Sequence, residues 1–207
     1  MNMVFYLLIA LSGILCILGQ EMHRQRMVYF FKPLTMILIM ALMGCDTEQW
    51  NFYAWLILAG LLISTLGDIF LMLPDDRFLE GLLSFLIAHF FYLGAFYIRG
   101  GVSVTPEFLI PLLVYTLAMM VMILPRAGSL KIPVAFYVTV LFLMGWQAVE
   151  LWHFPGNSGT FTCMGGLLFV ISDSALGWNR FRGAFPLSSS LVLGTYFPAQ
   201  LFLALSV

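Results

Sequence analysis

The sequence predicts an all-α polytopic membrane protein, a bundle of about eight transmembrane helices forming a single domain over residues 1–207. Three observations carry this. Hydrophobic residues make up 62% of the chain and charged residues only 9%, where soluble domains carry about 25% charged residues. Mean hydropathy is +1.00. The apolar residues fall into eight runs, each near the about 20 residues that cross a bilayer as a helix.

Taken in order, the spans are approximately 3–19, 27–44, 52–73, 79–98, 108–125, 132–151, 159–177 and 188–206. No Lys or Arg precedes Met3, and Leu15 stands before Cys16 where a lipoprotein site takes a small residue. The first run therefore reads as a retained helix rather than a signal peptide. Lys32-Pro33 lies early in helix two, Gly67-Asp68 near the end of helix three and His89 in the middle of helix four. Pro133 opens helix six just after Lys131, Ser172-Asp173 lies near the end of helix seven, and helix eight carries Tyr196 and Gln200. The connections, 20–26, 45–51, 74–78, 99–107, 126–131, 152–158 and 178–187, are short and hold polar residues, Gly or Pro. Neighbouring helices must run antiparallel, and any site must lie among them. Lys-Pro against Lys-Ile-Pro, and Gly-Asp against Ser-Asp with an Arg nine residues on in each case (Arg77, Arg182), suggest a 4+4 repeat. With an even number of helices per half, such a repeat is parallel.

Connections after helices one, three, five and seven hold Arg24, Arg26, Arg77, Arg126, Lys131, Arg180 and Arg182, and the others hold only Arg99. The positive-inside rule then puts the odd connections in the cytoplasm and both termini outside. Short loops suggest a bacterial inner membrane. A net charge of -1 without a basic stripe argues against a nucleic-acid partner. Cys16, Cys45 and Cys163 have neither CxxC nor zinc spacing and read as apolar filler.

An ionisable residue inside a span costs several kcal/mol unless paired or wet, so it is a functional candidate by default. The candidates are Lys32, Asp68, His89 and Asp173. Lys32, Asp68 and Asp173 all lie about four to five residues from the cytoplasmic border, about 6–8 Å deep at 1.5 Å per residue. Three helices thus present opposite charges at one depth. Ser64 lies one turn before Asp68 on the same face, and Tyr92, Tyr196 and Gln200 add deep polar groups. The pattern suggests a polar pocket open to the cytoplasm that tapers into an apolar channel. Blander readings exist: Lys32 snorkelling to the interface, one Asp in a structural bridge, or Tyr and Gln as interhelical hydrogen bonds. Glu150 and His153 read as surface residues near the outer border. The three histidines are too far apart to share a metal, and no serine has a nucleophile-elbow sequence around it.

Several stretches resemble the YhhN-like family of lysoplasmalogenases. They are Phe31-Lys32-Pro33-Leu34-Thr35, Leu66-Gly67-Asp68-Ile69-Phe70-Leu71-Met72 and Phe85-Leu86-Ile87-Ala88-His89-Phe90-Phe91-Tyr92, then Phe169-Val170-Ile171-Ser172-Asp173 and Tyr196-Phe197-Pro198-Ala199-Gln200. The resemblance implies a hydrolase that cleaves the vinyl ether bond of a lysophospholipid, releasing a fatty aldehyde and glycerophosphoethanolamine or glycerophosphocholine. It implies membrane lipids as surroundings and no metal or organic cofactor.

Vinyl ether hydrolysis needs a proton for carbon, a negative charge beside the resulting oxocarbenium ion and a base for water. Asp68 and Asp173 are the expected catalytic pair, in analogy with the two carboxylates of glycosidases. Lys32 is expected to bind the phosphate or hold one Asp ionised, His89 to orient an Asp or the water, and Ser64, Tyr92, Tyr196 and Gln200 to line or support the site. A transporter using the same charges, or a lipid-binding protein that breaks no bond, are the alternatives.

Overall fold

The computed structural model describes residues 2–207. Among them, eight long helices run α1 (Asn2–Glu21), α2 (Gln25–Asp46), α3 (Phe52–Met72), α4 (Phe78–Gly100), α5 (Pro106–Ile123), α6 (Lys131–Glu150), α7 (Asn157–Phe181) and α8 (Ser188–Leu205). All eight belong to segments long and apolar enough to cross a membrane, and the chain is an integral, multi-pass membrane protein. Short 3₁₀ turns at 124–126, 128–130 and 151–153 tighten the ends of α5 and α6.

Most helices extend past the apolar runs that announce them. A backbone leaving hydrocarbon keeps its own hydrogen bonds, so polar end residues stay helical into the interface. The largest difference is at α7, expected to end at 177 and running to Phe181. Asp173 consequently lies eight residues from that end rather than four. Arg99, expected in a connection, occupies the last turn of α4.

Hairpins α1–α2, α3–α4 and α7–α8 are the tightest pairs; α2 also packs on α3 and α8, and α6 on α7 and α4, while α5 is held chiefly by α6. Apolar burial drives little between helices in lipid, so close approach through small residues matters. The Tyr92 ring lies where a side chain on Gly60 would stand, joining α3 to α4, and Ala148 does the same at Gly166, joining α6 to α7. Large apolar residues such as Leu7, Phe30, Trp55, Val121 and Ile132 point outward, as a lipid-facing surface requires.

At the end away from most basic residues, the Arg99 guanidinium stacks 3.3 Å from the Tyr53 ring centre and donates to the Ser206 carbonyl at 2.6 Å and to Ser158. Glu150, expected to be solvated by headgroups, instead accepts from the backbone N–H and hydroxyl of Thr105, each at 2.7 Å, and from the Trp146 indole at 2.8 Å. It ties the N-terminus of α5 to α6. His153 is exposed, as expected.

Candidate active site

Pro33 lies inside α2, which continues through it with one backbone hydrogen bond fewer. Directly before it, the Lys32 side chain reaches α3, where Nζ lies 2.9 Å from Asp68 Oδ1. Asp68 is 1% exposed, and its other oxygen accepts from the Tyr196 hydroxyl of α8 at 2.7 Å. A charge pair this far from water is sustained only when its remaining hydrogen-bonding capacity is filled, and Tyr196 fills it.

Asp173 stands on α7, where Oδ2 accepts from the Tyr137 hydroxyl of α6. The same oxygen is 3.5 Å from His89 Nε2 of α4. His89 is fully buried at the centre of its helix, and neither ring nitrogen completes a hydrogen bond among the described residues. Its ring packs against Phe169 and Tyr137. Among the described residues no Lys or Arg pairs with Asp173.

Deeper still, the Tyr92 hydroxyl donates to Gln200 Oε1 at 2.7 Å and lies 3.4 Å from Ser64 Oγ. The Tyr196 ring meets Phe85 and Phe169 edge-on, so an aromatic wall connects these three polar groups.

Both carboxyls line one cavity of about 380 Å³, together with Lys32 and Tyr196. Gln20, Gln25, Pro74, Asn179 and Ser189 also line it, so it extends to the end that carries the basic connections. There Arg180 clasps Asp76 at 2.6 Å and holds that exposed carboxyl below the usual carboxylate range. A second, apolar groove lies between α4, α5, α6 and α7, with Leu71 of α3, and also reaches Asp173.

Of the residues expected from sequence, Lys32, Asp68, Asp173 and Tyr196 meet in the cavity. His89 reaches it through Asp173, while Ser64, Tyr92 and Gln200 form a linked group beneath. Reading the sequence missed Tyr137. It lies one turn after Pro133, but as one of 8 tyrosines it carried no distinguishing signal.

The two carboxyls are reached from correspondingly numbered helices, by different groups. Asp68 on α3 is contacted from α2 and α8, and Asp173 on α7 from α6 and α4.

The model of the YhhN family matches residues 27–207. The chain belongs to the YhhN family. That match takes in most of α2 and all of α3 to α8, and so includes Lys32, Ser64, Asp68, His89, Tyr92, Tyr137, Asp173, Tyr196 and Gln200. Among YhhN relatives, human lysoplasmalogenase TMEM86A is 33% identical over 155 residues, covering 72% of this chain and 64% of the relative. Rat lysoplasmalogenase TMEM86B is 34% identical over 158 residues, 74% of this chain and 62% of the relative. The chain thus spans 64% and 62% of the length of these two lysoplasmalogenases. The Escherichia coli O157:H7 membrane protein YhhN is 26% identical over 183 residues, 86% of each chain. No solved structure matches this YhhN chain.

Proposed function

We propose that this protein is a lysoplasmalogenase, a membrane hydrolase that cleaves the vinyl ether bond of a lysophospholipid into a fatty aldehyde and a glycerophospho-alcohol. The observation that supports it best is the pair of buried carboxyls, Asp68 and Asp173, lining one cavity with a single lysine between α2 and α3. The names of the relatives at 33–34% identity agree with it.

The reaction is acid-catalysed addition of water to an enol ether. Carbon must be protonated, the oxocarbenium ion must be stabilised by a nearby negative charge, and water must lose a proton as it adds. Two carboxylic groups in one sheltered cavity supply all three requirements. Lys32, with a compact charge and three donors, keeps Asp68 paired and stands where a phosphate can approach from the cavity mouth. His89, with Nε2 3.5 Å from Asp173, is placed to orient that carboxyl or the attacking water. Tyr196 and Tyr137 hold the two carboxyls, and Ser64, Tyr92 and Gln200 brace the wall behind them. The basic end of the bundle faces the cytoplasm under this reading, so the lipid headgroup lies on that side.

The test is aldehyde release from lysoplasmenylethanolamine and lysoplasmenylcholine by purified protein in detergent or vesicles. Asp68→Asn and Asp173→Asn should each abolish turnover while the helical circular dichroism stays unchanged. Near-normal release from either variant removes that residue from the catalytic pair. Binding without release by the unmodified protein would favour a lipid-binding protein, and solute uptake into vesicles a transporter.

A further inference from the structure

The apolar groove and the polar cavity are separate spaces that share Leu71, Phe85, Asp173 and Leu176. Of these four, only Asp173 is chemically active. The groove is lined by Met119 and Ile123 of α5, Val134 and Leu141 of α6, and Gly177 of α7. Its flank includes Tyr115, which is 40% exposed on the lipid-facing surface. Gly177 keeps the groove open on one side: a β-carbon there would come within 3.3 Å of Ile123 Cδ1.

We infer that this groove takes the alkenyl chain of the substrate from the bilayer, and that Asp173 is consequently the acid that protonates the vinyl carbon. This rests on the hydrolase reading above and deepens it. A lipid whose headgroup occupies the polar cavity and whose chain occupies the groove must cross from one to the other at Asp173. The bond to be cleaved joins those two parts of the lipid. The carbon that needs the proton is the one on the chain side, next to the groove. Asp173 has no Lys or Arg partner, and a buried carboxyl without a counter-ion is held most cheaply in its neutral, proton-carrying form. Asp68, bound to Lys32, supplies the anion.

The step balances. The Asp173 O–H bond breaks and its proton forms a C–H bond at the outer vinyl carbon, leaving an oxocarbenium ion between the other vinyl carbon and the ether oxygen. Water adds through oxygen to that carbon and gives its proton to Asp68, forming a hemiacetal. The hemiacetal hydroxyl then returns a proton to Asp173 as the C=O bond forms. The bond from carbon to the glycerol oxygen breaks, and that oxygen takes the proton from Asp68. Both carboxyls end as they began, with one water consumed.

Two measurements test it. Asp68→Asn and Asp173→Asn are incubated with lysoplasmenylethanolamine in D₂O, and recovered substrate is examined by mass spectrometry and NMR. Vinylic deuterium in substrate recovered from Asp68→Asn, and none from Asp173→Asn, supports the assignment. Exchange in Asp173→Asn overturns it, and where neither variant exchanges, because Asp68 also stabilises the cation, the groove measurement below decides. Independently, Gly177→Phe fills the groove. The ratio of kcat/KM for a hexadecenyl over a butenyl substrate should fall about tenfold or more, because each methylene kept out of its apolar site loses about 0.8 kcal/mol. An unchanged ratio overturns the groove as the chain site. Absence of aldehyde from the unmodified protein instead fails the hydrolase reading itself, whichever variant is studied.

Discussion

Lys32 is the ion-pair partner of Asp68, at 2.9 Å, and not of Asp173, whose neighbours are the Tyr137 hydroxyl and a histidine 3.5 Å away. Two aspartates at similar places in the sequence pattern therefore sit in different electrostatic surroundings. The proposed division of roles, Asp68 as anion and Asp173 as proton donor, rests on that difference.

Lys32→Met should leave the buried Asp68 carboxylate uncompensated. Removing one partner of a buried pair typically costs about 3–5 kcal/mol, whereas replacing both by apolar groups is often close to neutral. Lys32→Met and Asp68→Leu should each lower the thermal unfolding midpoint in detergent, and the double variant should recover most of the loss. All three should release no aldehyde. A double variant as unstable as the sum of the singles would show that the two groups act independently.

Tyr196→Phe and Tyr137→Phe each remove one hydroxyl from one carboxyl, with little change in volume. Each should reduce kcat by about tenfold, equivalent to about 1.4 kcal/mol in the barrier, with a smaller change in KM. Steady-state kinetics on both variants check this. An effect on KM alone would move these tyrosines from holding the carboxyls to binding the lipid.

Gly60→Val should displace the Tyr92 ring, which occupies the space a side chain at position 60 needs. The Tyr92–Gln200 hydrogen bond would break with it. Overpacking of this kind costs about 1–3 kcal/mol, read as a lower unfolding midpoint. Gly44→Ala, with open space at its β position, is the control and should change the midpoint little.

Cys45 is exposed at the end of α2, while Cys16 and Cys163 are buried. The proposed orientation, with the basic connections in the cytoplasm and both termini outside, puts Cys45 in the external medium. A membrane-impermeant maleimide should label the unmodified protein in intact cells, and Cys45→Ser should remove that label. Labelling only after the membrane is permeabilised would invert the orientation.

The bundle was legible before any coordinates because hydropathy acts locally: each apolar run declares its own helix, and a polar residue inside one stands out. Lys32, Asp68, His89 and Asp173 were conspicuous for that reason. Tyr137 was not, because a tyrosine in a membrane helix is unremarkable until its hydroxyl is seen to meet a buried carboxyl. The partners of Glu150 were hidden for a related reason. Its position in the sequence suggests the interface, but its partners at Thr105 come from a different connection.

The sequence by itself determined the number of spans, their alternation and the short set of charges that lipid would not tolerate unpaired. Which of those charges pair was decided only in the folded bundle. That choice depends on the rotation of each helix about its axis, which is set by close contacts such as Tyr92 on Gly60 and Ala148 on Gly166. Those contacts join residues far apart in the chain. They turn Asp68 toward Lys32 and leave Asp173 at the meeting point of a polar cavity and an apolar groove.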